Sequence, residues 1–282
     1  MGAPSPYIRD VVLGICIFLV PFLVPLFKLN TDVGTLVTAT SAVFAIVAGF
    51  FIADAMSNYL RLQTLISEEN AALIAVADYA KRIDAQHWPL VHSAIDEYLI
   101  AQLDSGTLNH ILETENRIDK LNDTINALKI DPEDSASYER MLEMKEKILI
   151  ARQETLFAAK TNLTIGHWLT LITLGVLVAC TVLAIRDGSL FMNMIAGTMM
   201  VGTQAILVLL RDMDNNRLLE MKLGYDNPRE VFHALSLPPY YPYSSPLKSR
   251  VPDKSGTYRL GKKDARGQAA YELINVKKQR GA

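Results

Sequence analysis

The chain has 282 residues and a formal net charge of −2, and half of its residues are hydrophobic. The hydrophobic residues are concentrated in a few long runs, and about 20 apolar helical residues are enough to cross the bilayer core. This distribution excludes an ordinary water-soluble domain and predicts an all-α, multi-pass membrane protein.

Four apolar runs are long enough to span a membrane, and they form two pairs: residues 11–29, 33–53, 168–185 and 189–210. We expect the first run to be a retained span rather than a signal peptide, because Pro21 and Pro25 interrupt it and no A-x-A cleavage site follows. Each proline removes a backbone donor, which predicts a bent helix. Bending for packing is the favoured reason, and a gate hinge is the alternative.

The second run continues into polar sequence with no Gly or Pro to end it, which predicts one helix from the membrane to about Asp84. Small residues four apart form a stripe along this helix, at Ser41, Ala45, Gly49 and Ala53, and it continues to Ser57. In lipid, such a stripe allows two helix backbones to approach closely. We therefore assign the stripe to helix packing.

A second row lies beside this stripe and contains Ile46, Phe50 and Asp54, followed by Ser57 and Arg61. In an oligomer around an axis, this row would make apolar rings, then an acidic ring and a basic ring. Apolar constrictions gate by dewetting, and charged rings set ion preference. The row is therefore our candidate for lining a pore. The alternative is that Asp54 and Arg61 simply pair at the level of the lipid headgroups.

Residues 55–165, between the two pairs, carry 11 Lys and Arg against 18 Asp and Glu and are predicted to form a cytoplasmic helical bundle or hairpin. After the first rod, Pro89 marks the first turn of a new helix that stops near residues 104–106. A heptad segment follows, and it predicts a short coiled-coil arm. Its a and d positions are Ile111, Thr114, Ile118, Leu121, Ile125 and Leu128.

The returning arm begins at Asp131-Pro132, where Asp131 can cap a helix and Pro132 fits its first position. Leu142, Leu149 and Leu156 are seven apart, with Met141 and Ile148 beside them, and indicate the apolar side of this arm. We expect the helix to run on without a break to Trp168, at the membrane interface.

Two adjacent acids, Glu68 and Glu69, lie just beyond the membrane on the second helix. One adjacent pair is a poor oxygen cage for Ca²⁺. We therefore expect structural partners for them, such as helix-end donors or nearby basic residues.

The tail from residue 215 carries 13 Lys and Arg against six Asp and Glu. It is predicted to dock on the acidic region, to lie on anionic lipid, or to remain solvated. A short helix is expected at 229–235, and a strand or helix at 269–276. Residues 238–243 form a Pro- and Tyr-rich strap that matches P-P-x-Y. Packing against the helical body or a neighbouring subunit is favoured over binding to an aromatic-lined groove of a partner.

The charges that flank the spans set the orientation. Most of the flanking Lys and Arg lie on the side of the central region and the tail, which the positive-inside rule places in the cytoplasm. We expect a multi-pass protein of the cytoplasmic membrane with both termini in the cytoplasm. Its predicted parts are 1–54, the first membrane pair; 55–165, the cytoplasmic helices; 166–212, the second pair; and 213–282, the basic tail.

No residue pattern predicts catalysis or a bound group. Cys16 and Cys180 lie in separate apolar spans and are expected to be buried thiols, and the five histidines show no ligand spacing. There is no nucleophile signature and no phosphate loop. We therefore expect no enzyme activity, metal or cofactor, and no nucleic-acid partner.

Two short segments carry a resemblance to a known family. Ala48-Gly49-Phe50-Phe51-Ile52-Ala53, then Ser57, Arg61 and Glu69-Asn70-Ala71, is similar to the core signature of the bestrophin-like prokaryotic membrane domain family. Leu210-Arg211-Asp212-Met213-Asp214 resembles the final element of that family. The Pro that commonly follows is missing, and the strap and basic tail are additional.

The family is similar in layout to the bestrophin anion channels. The resemblance implies a pentamer whose second span lines a pore, with Ile46 and Phe50 at neck positions. Asp54 departs from the apolar pattern of that neck, and an acidic ring there would oppose anions.

Together these features predict a homo-oligomeric ion channel of the cytoplasmic membrane, with the second span lining the pore. The alternative is a non-conducting scaffold or signalling subunit that binds a partner through its cytoplasmic helices.

Overall fold

The computed structural model describes residues 6–26, 33–105, 110–160, 163–215, 226–242, 256–263 and 269–276. The chain divides into two compact units. The membrane unit comprises residues 1–59 and 162–217, and the bundle unit comprises residues 60–161 and 218–282. Helix α2 begins in the first unit and ends in the second.

The described elements follow one another along the chain. They are α1 (Pro6–Leu23), α2 (Val33–Ile83), α3 (Trp88–Ser105), α4 (His110–Glu113), α5 (Glu115–Asn126), a 3₁₀ turn (Pro132–Asp134), α6 (Ser135–Lys160), α7 (Ile165–Ala184), α8 (Leu190–Asp214), α9 (Asp226–Ala234), β1 (Tyr240–Tyr241), β2 (Gly256–Lys263) and β3 (Ala269–Val276).

Three of the described helices, α2, α7 and α8, are long and apolar enough to cross a membrane. They contain three of the four runs that the sequence predicts as spans. The remaining run, residues 11–29, lies partly in α1. This helix contains Pro21 and ends at Leu23, two residues before Pro25. Its last residues, with the loop that follows, lie outside the described part of the chain.

The buried face of α2 repeats every seven residues in both units. Buried or partly buried residues lie on this face, which we call the heptad stripe: Ala48, Ala55, Leu62, Glu69, Val76 and Ile83. A seven-residue repeat drifts by about 20° per heptad on a straight α-helix, so the stripe winds around α2 by about 100° between Ala48 and Ile83. A buried stripe therefore follows most of the length of α2, and the predicted end near Asp84 is confirmed.

In the membrane unit, α2 is anchored through Phe44 and Ala48, which pack in one cluster with α7 residues Leu171 and Val178 and with Leu210 of α8. The hydroxyls of Thr40 and Thr181 are 3.2 Å apart and join α2 to α7. Small and branched residues thus allow close packing of three helices.

The uninterrupted return helix predicted from Asp131 to Trp168 is wrong. Helix α6 ends at Lys160, and α7 begins at Ile165. Between them, Thr164 has an extended backbone and its amide donates to His167 Nδ1 at 3.3 Å. The amide of Leu163 donates to Asp214 Oδ1 at 2.7 Å, so one local and one long-range hydrogen bond hold these two residues out of a helix.

The bundle core confirms the predicted heptad segment as a buried face. All six of its a and d positions, from Ile111 to Leu128, are buried. In the returning arm, Met141 and Ile148 are fully buried, whereas Leu142 and Leu149 are only partly so. The buried stripe of α6 is therefore centred on Met141 and Ile148, and the leucines beside them lie at its edge. Pro132 opens a 3₁₀ turn before α6, and Asp131 makes no side-chain capping bond.

The predicted all-α class is incomplete, because the tail forms a three-stranded sheet in the order β1-β2-β3. Strand β1 pairs in parallel with β2, and β2 pairs antiparallel with β3. The 269–276 segment is thus a strand, and the predicted short helix is present as α9. β-branched and aromatic residues in β3 favour this extended state.

The strap packs against the bundle rather than standing free. Tyr240 and Tyr241 are buried, and the Tyr240 hydroxyl donates to Asp104 at 2.7 Å. Arg259 of β2 donates two hydrogen bonds to Asp96 of α3, at 2.6 and 2.8 Å. At this point the basic tail therefore docks on the acidic helices of the same chain. Tyr241, the tyrosine of the P-P-x-Y match, is buried and inaccessible to a partner.

Gly197 of α8 is required by the packing of α1. A Cβ there would lie 2.8 Å from the Phe18 carbonyl oxygen and 2.9 Å from its ring. We expect Gly197→Ala to destabilise the protein by about 1–3 kcal/mol, because backbone contacts cannot rotate away. Thermal unfolding of the purified protein in detergent measures this as a lower midpoint.

Gly202→Ala on the same helix is the control, since no atom lies within 4 Å of a Cβ at that position. It is expected to be neutral or to stabilise the helix by about 0.5–1 kcal/mol. Equal losses for the two variants would contradict the close approach of α1 to Gly197.

Candidate functional site

The outward face of α2 carries the row predicted to line a pore. Ile46 and Phe50 are 61% and 72% exposed, and Asp54, Ser57 and Arg61 are also exposed. An α-helix turns by about 100° per residue, so these five positions fall within a sector of roughly 80°. The structure therefore places the whole row on one face.

The opposite face of α2 packs against α7 and α8, and this packing leaves the row exposed. Phe44 and Ala48 are only 4% and 2% exposed, in the cluster with α7 and α8. The Phe51 ring lies 4.9 Å from the His167 ring, between their centroids. Because α2 is packed on this side, Phe50 cannot turn inward without breaking that packing.

Most of the small-residue stripe is not covered by the described helices. Ala45, Gly49 and Ala53 are exposed, Ser41 is partly buried, and a Cβ on Gly49 would meet no atom within 4 Å. Within the described residues, α2 packs through Thr40, Phe44 and Ala48 instead. The role of the stripe in helix packing stays a prediction.

Arg61 is paired with a neighbouring helix of the bundle unit. Its Nη2 lies 3.1 Å from Glu154 Oε2 of α6, and both side chains are about half exposed. An exposed pair of this kind contributes about 0.2–1 kcal/mol. Its main consequence is electrostatic, since Glu154 offsets the positive charge that Arg61 would bring to a basic ring.

Arg186, between α7 and α8, binds the proline-rich end of α1. It is buried and donates to the carbonyl oxygen of Pro21, and to those of Val24 at 3.2 Å and Pro25 at 3.3 Å. Pro25 has no amide hydrogen, so the Pro21 carbonyl lacks its usual helical donor. Arg186 supplies that donor. The four-residue spacing of the prolines signals the free carbonyl, but not which residue satisfies it.

Charged residues near the end of α8 link three helices of the membrane unit. Arg211 donates to both oxygens of Asp10 on α1, at 3.2 and 2.7 Å, and to Asp212. Asp214 accepts from the Trp168 indole of α7 at 3.1 Å. The Leu210–Asp214 motif is therefore structural, because its charged groups are held by ion pairs and hydrogen bonds.

Comparisons with known proteins identify the family of the chain. A family model described as the bestrophin-like domain matches residues 10–215. The chain belongs to the bestrophin-like family. At the level of the family, this supports an ion channel-like membrane protein.

Solved structures share the bestrophin-like fold at low sequence identity. Two variants of a bacterial bestrophin homologue from Klebsiella pneumoniae have 10% and 12% identity and a TM-score of 0.63, covering 82% of this chain and 98% of theirs. A structure described only as a membrane protein has 14% identity and a TM-score of 0.61, with the same coverage. No curated protein matches the sequence.

The bestrophin-like chain also contains a polar cluster in its bundle unit. Glu69 accepts a hydrogen bond from the Tyr98 hydroxyl, and Arg152 Nη1 lies 4.0 Å from Glu69 Oε1. The expectation of structural partners is confirmed for Glu69, while Glu68 is exposed. Among the described residues, no group of three or more His, Cys, Asp or Glu side chains is placed to hold a metal.

Two phenylalanines of α2 test which face is anchored. Phe44→Ala is expected to cost about 2 kcal/mol through the cavity that it leaves, since lipid already solvates apolar side chains and only packing is lost. Phe50→Ala is expected to change stability by less than about 0.5 kcal/mol in the isolated subunit. Thermal unfolding in a detergent that keeps subunits apart measures both, and equal losses would contradict this orientation of α2.

Proposed function

We propose that the protein is a homo-oligomeric ion channel of the cytoplasmic membrane, in which the outward face of α2 lines the ion path. The observation that carries the proposal is the exposed Phe50 on a helix packed through its opposite face. In this arrangement α1 is the first of four spans, and both termini lie in the cytoplasm.

Several helices expose apolar residues, as lipid contact requires, but α2 differs from them. Its exposed face combines the apolar Ile46 and Phe50 with the polar Asp54 and Ser57, and it is flanked by the open small-residue stripe. On a purely lipid-facing helix, the Asp54 carboxylate would be transferred into lipid at a large cost in free energy. A face directed to an aqueous axis avoids that cost.

The stripe and the row fit a ring of subunits. Ala45, Gly49 and Ala53 allow a neighbouring backbone to come close, and the adjacent row would then turn towards the axis. The layout of the bestrophin channels supports five subunits. Native mass spectrometry of the purified protein tests this number, and a monomer would overturn the proposal because the rings need an axis.

Phe50 is proposed to form the narrow apolar neck. Phe50→Ala is expected to raise ion flux several-fold in proteoliposomes, because a wider constriction is easier to wet. Phe191→Ala is the matched control, since Phe191 of α8 is equally exposed, at 70%, but lies off the proposed path. Flux changed equally by both variants, or by neither, would count against the neck.

Asp54 is proposed to bias the path towards cations. A carboxylate ring attracts cations and repels anions, and the Arg61 charge is offset by Glu154. Asp54→Asn is expected to shift the reversal potential under a salt gradient towards that of anions. An unchanged reversal potential would remove Asp54 from the path.

The alternative function is a non-conducting scaffold. It is favoured if the oligomer shows no flux in any salt and a stoichiometric partner is captured through residues 85–160.

A further inference from the structure

The heptad stripe of α2 contains one ionisable residue. Glu69 has no exposed surface and lies seven residues after the buried Leu62 and seven before the buried Val76. It belongs to the bundle unit, well beyond the apolar part of α2. A carboxylate in such a place is costly unless several donors stabilise its charge.

The donors around Glu69 are too few for a carboxylate. Oε1 accepts from the Tyr98 hydroxyl, whereas Oε2 is buried and has no hydrogen-bond partner among the described residues. The next residue, Asn70, likewise has a buried Oδ1 without a partner in that part of the chain. Oε2 of Glu69 is therefore a buried carboxylate oxygen without a donor, and a proton on the carboxyl group would remove its charge.

Arg152 is close to Glu69 but is occupied by other acceptors. Its Nη1 donates to the hydroxyls of Tyr98 and Thr114, the latter at 3.1 Å, and its Nη2 donates to the Ile111 carbonyl at 3.0 Å. Its guanidinium also lies 5.1 Å from the centre of the Tyr98 ring. It remains 4.0 Å from the nearest Glu69 oxygen, so it attracts the carboxylate without satisfying it.

We propose that Glu69 is a proton-binding site, and that its protonation state controls the contact of α2 with α3 and α6. Tyr98 faces it from α3 and Arg152 faces it from α6. With the proton bound, the neutral carboxyl completes the buried stripe. Without it, a buried charge with an unsatisfied oxygen favours separation of α2 from its neighbours. Where α2 lines a path, as in the proposed function, this contact would regulate flux.

The direction of the pH effect follows from burial. Burial raises the pKa of Glu69, and it outweighs the Tyr98 hydrogen bond and the attraction of Arg152, which lower it. Burial also raises the pKa of Tyr98 well above its usual value, so the phenol keeps its hydrogen. A raised carboxyl pKa means that the stabilisation is complete below the pKa of the unfolded chain and is lost as pH rises through the folded value.

Thermal unfolding of the full-length protein in detergent, measured from acidic to neutral pH, tests the proposal. The unfolding midpoint of the wild type is expected to fall as pH rises, by an amount on the order of 2–5 °C. Glu69→Gln mimics the protonated form and is expected to lack this fall. Glu68→Gln is the matched control on the exposed neighbour and should retain it.

Tyr98→Phe provides a second reading that does not depend on the Glu69 variant. It removes the hydrogen bond that lowers the pKa of Glu69, so the fall is expected to move to higher pH. The proposal would be overturned if the unfolding midpoint fell with pH equally in the wild type and in Glu69→Gln. It would also be overturned if the fall occurred at the same pH in Tyr98→Phe as in the wild type.

Ion flux in proteoliposomes separates this inference from the proposed function. A channel regulated by Glu69 should show a pH dependence of flux that Glu69→Gln abolishes. Absence of flux together with the expected unfolding curves would reject the channel while retaining the proton site. Flux whose pH dependence survives in Glu69→Gln would reject the regulatory role of this contact.

Discussion

The unbroken course of α2 is the constraint on which the described structure depends. A buried stripe runs along most of its 51 residues, through Phe44 and Ala48 in the membrane unit and through Leu62 and Val76 in the bundle unit. The side chains of a helix point in fixed directions, so burial of Phe44 and Ala48 leaves Phe50 on the opposite, exposed face. The outward position of Phe50 is thus a consequence of packing on the opposite side.

Buried arginines provide the other recurring interaction. Arg186 satisfies carbonyls at the proline-rich end of α1, Arg152 links three helices of the bundle, and Arg259 holds the sheet to α3. The guanidinium group offers five donors in a fixed plane, so one side chain can satisfy several acceptors at once. Each arginine therefore joins elements that are far apart in sequence. Glu69 is the residue for which these donors are insufficient.

Prediction from the sequence succeeded where the signal is local and periodic. Apolar runs, the long α2, the buried heptad segment from Ile111 to Leu128 and the strap were all recognised, because hydrophobic spacing reports which face of an element is buried. It failed at Thr164, where one capping residue breaks a helix inside an otherwise helical pattern. It also missed the strands as a sheet, because β1 pairs with a strand that begins at Gly256.

The sequence by itself determined the membrane class, the family and the row from Ile46 to Arg61, since these depend on composition, on short local motifs and on the repeat of a single helix. Only the tertiary structure decided that Phe44 faces inward and Phe50 outward, and that Arg186, Arg152 and Arg259 have the partners they do. Those partners lie up to 165 residues away along the chain. Charge and spacing identify residues that need a partner, but the packing of the helices selects which partner is within reach.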